Sequence, residues 1–219
     1  MKSNNILLIK SKFPKSGQVK TRLGLELGFD IACNIYKSML KDLVNLHKYQ
    51  IYDLSICFPE CDKIYENEII DLFGSVNYLF LGEGLRGKNS AIWSSLKHYS
   101  NDYSKIISIY GDTPNIGNEL IIKSFDLLDS FDIVIGPDYG DAYYLIGMNK
   151  PIDLFTTLSN ERIPYLTKTI ELINKFNLSY TFVDKRPDID TIADIAIIDW
   201  KSSKWYLTKQ ILTDLQVIR

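Results

Sequence analysis

Apolar and polar positions alternate along this chain with two different periods. Residues 5 to 10, "NILLIK", are a short apolar run that reads as a first strand. A basic loop over residues 11 to 20 follows. Leu23, Leu27, Ile31, Ile35, Met39 and Leu43 then recur at every fourth position, one face of a long helix expected to begin near Thr21. Gly24 and Gly28 weaken its first turns. "YDLSICF" (52–58) reads as a second strand ended by Pro59, "IYENEIIDLF" as a short helix, and "NYLFL" (77–81) as a strand leading into the glycine-rich "GEGLRG". Residues 89 to 98 look helical. "SKIISIY" (104–110) is apolar enough for a strand buried on both faces. A helix over 117–129, strands over 131–137 and 142–148, a helix over 165–176 and a late strand "LSYTFV" complete the series. "DIDTIADIAII" opens a helical segment or a turn into one, and the residues from Trp200 are expected to form a helical tail.

Short strands alternating with helices of ten or more residues predict a mostly parallel sheet with helices on both faces, a three-layer α/β/α sandwich in one domain. Only four residues separate the strands at 131–137 and 142–148, so a hairpin is expected there. Residues 1–199 are read as the domain and 200–219 as a tail packing on it.

Composition narrows the function. The chain has 219 residues, 25 basic and 27 acidic, for a net charge of −2. Such a balance does not suggest a nucleic-acid partner. There is no charged-then-apolar leader and no 18-residue apolar run, so the expectation is a cytoplasmic protein without a membrane partner. Cys33, Cys57 and Cys61 make no disulfide framework. With only His47 and His98 available, chemistry is expected from carboxylates, lysines or a metal.

Ligands of open α/β sheets sit at the carboxyl ends of strands. Four loops rich in glycine or charge are expected there: 11–20, 82–88, 111–117 and 184–191. In the first, Lys12, Lys15, Lys20 and Arg22 gather where a strand hands over to a helix. Cations beside a helix N-terminus are unfavourable unless an anion binds. Gly17 would let backbone approach a phosphate. A solvated basic loop is the alternative reading. In the third loop, "GDTPNIG", Asp112 follows a buried strand and is a candidate divalent-metal ligand or a turn residue. In the fourth, Asp188 and Asp190 can face one ion if extended, while Asp190 or Thr191 can cap a helix. Asp138 and Asp141, in "GPDYGDAYYLIG", lie between two strands and read as turn residues or acceptor contacts.

Four motifs in order resemble the DUF2064 family of the nucleotide-diphospho-sugar transferase superfamily, whose members are called glycosyltransferase-A-like (GT-A-like) or MobA/CofC-like. They are "GQVKTRL", "GDTP", "GPDYGDAYYLIG" and "DIDTIADI". The resemblance implies the GT-A-like fold, Mg²⁺ or Mn²⁺, and a nucleotide sugar or NTP used with a small-molecule acceptor. It implies phosphate contacts from Gly17, Lys20, Thr21 and Arg22, with Lys12, Gly84 and Gly87 beside them. Asp112 and Asp190, with Asp188, would hold the metal. Lys20, Arg22 and Asp112 would act on the reacting phosphates, and Asp138 or Asp141 would orient the acceptor.

Departures fall on the acceptor or base side. Leu85 and Asn89 replace the family's acidic residue and arginine. "GDA" over 140–142 replaces Asp-Gly-Gly. Leu158, Ser159 and Asn160 replace Trp-Ser-Thr. The main reading is a nucleotide-sugar glycosyltransferase. The alternatives are a nucleotidyltransferase releasing pyrophosphate and a catalytically impaired nucleotide-binding protein. An exposed apolar face on the tail would support a homodimer. Both transferase readings need Lys20, Arg22, Asp112 and Asp190 to converge around one polyphosphate-sized hollow, and separate faces or a buried ion pair already in that space would count against them.

Overall fold

The computed structural model describes residues 3–81, 88–155 and 165–218; of Lys88, Asn89, Ser90 and Tyr165 it describes the backbone alone. Seven strands form one sheet. They are β1 (Asn5–Lys10), β2 (Asp53–Pro59), β3 (Asn77–Leu81), β4 (Lys105–Tyr110), β5 (Ile133–Pro137), β6 (Tyr143–Met148) and β7 (Tyr180–Phe182). Their order across the sheet is β3-β2-β1-β4-β6-β5-β7. β1, β2, β3 and β4 are parallel, and β6 runs antiparallel to both β4 and β5. The excursion expected from the short gap at 138–141 is therefore a β5–β6 hairpin, and β7 returns parallel to β5.

The central strands are apolar on both faces because both are covered. Leu7 and Ile9 face one core, Ile6 and Leu8 the other. On the first face pack α1 (Thr21–Leu27), α2 (Phe29–His47), α3 (Glu66–Phe73), α5 (Asn118–Leu127), α7 (Ile192–Ala196) and α8 (Tyr206–Asp214), through residues such as Leu23, Met39, Ile69, Phe125, Ile195 and Leu212. On the second lie α4 (Lys88–Tyr99) and α6 (Tyr165–Lys175), through Ile92, Leu96 and Ile173. A two-turn 3₁₀ segment, Glu60–Tyr65, links β2 to α3. The result is a three-layer α/β/α sandwich with a largely parallel sheet.

Two local outcomes differ from the periodicity. The long helix is two helices, because Gly28 at φ +96° ends α1 and starts α2; that backbone favours glycine. The apolar series continues through the break since both pieces pack on the same sheet face. The late strand shrinks to Tyr180–Phe182.

The tail is tied to α2. Asp42, buried on α2, accepts from Leu207 N at 3.0 Å, Thr208 N at 2.8 Å and Thr208 Oγ1 at 2.8 Å. A carboxylate thus caps the first turn of α8 from another helix. Trp205, just before α8, is fully buried. Among the described residues, no helix is long and apolar enough to cross a membrane.

Candidate functional site

Three strand-end loops meet at the carboxyl edge of the sheet. β1 feeds the loop that ends at Lys20, the N-cap of α1. β4 ends at Tyr110, two residues before Asp112. The third loop follows β7, and its Ile189 N donates to the Asp112 carbonyl at 3.0 Å, which brings residues 188–190 alongside Asp112.

The Lys20 ammonium lies 2.6 Å from Asp112 Oδ2 and 2.8 Å from Asp190 Oδ1. Its side chain is only 5% exposed, against 29% for Asp112 and 20% for Asp190. Arg22 takes the other Asp190 oxygen, Oδ2, and stays 68% exposed. Two cations and two carboxylates from three distant segments are thereby joined, and their formal charges balance. Lys20 holds a left-handed backbone, φ 46° and ψ 47°. A non-glycine residue persists there when its surroundings over-determine it.

Asp188 stands beside this group. Burial pushes its carboxyl above the usual range, the Asp112 carboxylate adds to the effect, the Lys20 ammonium opposes it, and Asp138 adds a smaller upward push. Asp190 is positioned by α7. Asp194 Oδ2 accepts from the amides of Asp190 at 3.0 Å and Thr191 at 2.7 Å, and the Thr191 side chain accepts from Asp194 N, a capping box. Glu26 on α1 accepts from Ile192 N at 2.7 Å, which docks this corner onto the first loop.

The four groups converge, but a buried ion pair already occupies the space between the two carboxylates. The Lys20 ammonium stands between the two carboxylates, because a buried cation there needs both partners more than it needs water. A cavity of about 270 Å³ lies elsewhere, lined by Asn115, Glu119, Arg186 and Lys204 among others, and none of the four groups lines it.

The other expected site residues separate into groups. Gly17 is exposed in a turn closed by Gln18 N donating to Lys15 O at 3.0 Å. Thr21 is exposed in the first turn of α1. Lys12 is exposed, and its amide donates to Tyr36 Oη at 3.2 Å. Lys15 turns away to Tyr65 Oη at 2.9 Å. Asp138 closes the β5–β6 turn, accepting from Ala142 N at 3.0 Å. Asp141 holds the start of α6: its carbonyl accepts from Leu166 N at 3.0 Å and its carboxylate from Thr167 Oγ1 at 3.1 Å. Gly84, Gly87, Leu85, Leu158, Ser159 and Asn160 lie outside the described residues, as does the Asn89 side chain.

Two residues at this edge went unnoticed in the sequence. Tyr36, buried on α2, receives the Lys12 amide and meets Ser11 Oγ at 3.2 Å, so it shapes the loop that follows β1. It follows Ile35 of the apolar stripe, and nothing in that spacing set it apart. Lys10 ends β1, and its ammonium donates to Ala91 O of α4 at 3.0 Å. Burial draws its pKa below the usual lysine value. A lysine closing an otherwise apolar strand was the available signal.

A divalent ion fits the donor set in part. Asp112 and Asp190 each offer an oxygen to one shared cation. Among the described residues no group of three or more His, Cys, Asp or Glu side chains is arranged to hold a metal ion.

Comparison with known proteins agrees with this architecture. Residues 82–160 match the family described as an uncharacterized protein conserved in bacteria, DUF2064. A protein of Desulfovibrio desulfuricans G20, provisionally assigned as a nucleotide-diphospho-sugar transferase, superposes with a TM-score of 0.85 at 23% identity, covering 97% of this chain and 96% of that one. The inositol-1-phosphate CTP transferase of T. maritima superposes at 0.54 with 13% identity, covering 97% of each chain. The manganese complex of Rv0371c from Mycobacterium tuberculosis H37Rv superposes at 0.50 with 13% identity, covering 90% of this chain and 97% of that one. No curated protein sequence matches the chain. The chain thus shares its fold with these solved structures, and one segment of it, residues 82–160, is similar to the DUF2064 family.

Proposed function

We propose that this protein is a metal-dependent nucleotidyltransferase that couples an NTP to a phosphorylated small molecule. One observation carries the reading: Lys20, Arg22, Asp112 and Asp190 converge at the carboxyl edge of the sheet. The CTP transferase among the structural relatives supports nucleotidyl transfer over sugar transfer, the opposite of the preference drawn from the family name. The manganese complex supports a divalent ion.

A phosphate oxygen of the acceptor attacks the α-phosphorus of the NTP. One P–O bond forms, the α–β bridging bond breaks, and its electrons leave with pyrophosphate. Arg22, exposed and forked, binds phosphate oxygens and stabilises charge as it develops on them. Lys20 supplies a second positive charge from a flexible stem. Asp112 and Asp190, with Asp188 beside them, would hold the ion, which when bound neutralises the polyphosphate. The charge balance of the cluster gives a reason for needing one: the four side chains by themselves offer a polyanion no net attraction. Asp138 and Asp141 shape the β5–β6 turn and the start of α6 and so place the acceptor side.

A nucleotide-sugar transferase is the second reading, favoured by the assignment of the Desulfovibrio protein. Incubation with each NTP or nucleotide sugar, Mn²⁺ and a panel of phosphorylated and free alcohols separates the two. Pyrophosphate release dependent on a phosphorylated acceptor is expected. Release of a nucleoside diphosphate from a nucleotide sugar would replace this reading with sugar transfer. Nucleotide binding without turnover across the panel would replace it with a binding protein.

A further inference from the structure

We propose that the Lys20 ammonium is the resident counter-ion of this site: it stands where Asp112 and Asp190 would share a divalent ion, so metal and polyphosphate must enter together. The inference rests on the metal–nucleotide reading above and adds an order of events to it.

The geometry points to an exchange. One ammonium contacts a carboxylate oxygen from each of two loops, at 2.6 and 2.8 Å, while almost fully enclosed. A divalent cation placed on those same oxygens would meet that ammonium within a few ångströms, where like charges repel strongly in a partly buried setting. The two cannot both be served. Lys20 can leave, because its charge rides on four methylenes, but only toward another anion. A nucleotide polyphosphate is that anion. Arg22 need not move, since it already takes Oδ2 of Asp190 and leaves Oδ1 to Lys20. The left-handed backbone at Lys20 is consistent with a residue held by its two ion pairs rather than by local preference. Lys20 is thus a gate on metal entry as well as a phosphate ligand, and each of metal and nucleotide should raise the other's affinity.

The test is Mn²⁺ binding to the full chain, followed by electron paramagnetic resonance of free Mn²⁺. Wild type, K20M and K20R are compared, each with and without CTP carrying a methylene α–β bridge. In the absence of nucleotide, K20M is expected to bind Mn²⁺ about tenfold or more tightly than wild type, with K20R close to wild type. Adding D112N to K20M should remove the gain. The analogue should tighten Mn²⁺ binding to wild type by about tenfold or more and to K20M much less. K20M binding no tighter than wild type would overturn the proposal. If K20M does not fold, K20Q replaces it, and wild type binding Mn²⁺ equally well with and without a bound analogue overturns the proposal by itself. Loss of analogue binding in wild type under all conditions would refute the nucleotide reading, whereas a K20M gain in that case would still uphold competition between Lys20 and the metal.

Discussion

Lys20 Nζ lies 2.6 Å from Asp112 Oδ2, joining a loop after the first strand to a loop after the fourth across 92 residues of sequence. The same ammonium reaches Asp190 at 2.8 Å, 170 residues away. A contact of this kind has no local cause. The sheet order places β1 and β4 side by side, so their carboxyl-end loops share one crevice.

Asp112→Asn and Asp190→Asn should each lower kcat/KM by about 100-fold or more, the size of effect expected when an electrostatic partner of the reacting phosphates is removed. Steady-state pyrophosphate release gives the readout. Each variant should keep its fold, because Lys20 retains the other carboxylate.

Arg22→Ala should leave stability within about 0.5 kcal/mol, since the side chain is mostly exposed. Turnover should fall by about tenfold to 100-fold. Arg22→Lys should recover only part of it, because a point charge cannot reproduce the guanidinium fork. Urea unfolding and kinetics on the same preparations separate the two effects.

Asp42→Ala should cost about 2–4 kcal/mol, because it removes three hydrogen bonds and leaves the α8 amides unpaired beside a buried tryptophan. Hydrogen exchange should show residues 206–214 opening first. Activity per folded molecule should be unchanged, as the tail lies on α2 and away from the Lys20 group.

His47 sets an acid limit. It is fully buried, with Nε2 donating to Ile116 O at 3.0 Å and Nδ1 accepting from Tyr52 Oη at 2.6 Å. Burial pulls its pKa from 6.5 to about 4. The unfolded chain binds a proton here between those values and the folded chain does not. Stability from this residue is therefore complete above pH 6.5 and falls as pH drops toward 4, by about 3 kcal/mol. Thermal unfolding at intervals across that range checks it, and His47→Gln should flatten the dependence.

The layers of this fold were legible because apolar periodicity is a local property. The β5–β6 hairpin followed from a four-residue gap. The break at Gly28 was hidden because Leu27 and Ile31 continue one stripe across it while both helices face the same core. Asp112 and Asp190 could be nominated as strand-end carboxylates, yet their sharing of one ammonium could not, because pairing across 92 and 170 residues depends on sheet order rather than spacing. Asp138 and Asp141 show the reverse. A turn was one of the two readings the sequence allowed; Asp138 closes that turn, whereas Asp141 holds the start of α6, which the local pattern did not suggest.

The most direct test of the central claim is calorimetric titration of each NTP, with and without Mn²⁺, into wild type and the D112N/D190N double variant. The account predicts saturable binding of at least one NTP to wild type only when Mn²⁺ is present, and its loss in the double variant. Equal binding by both proteins, or no binding to wild type by any NTP with Mn²⁺, would contradict it.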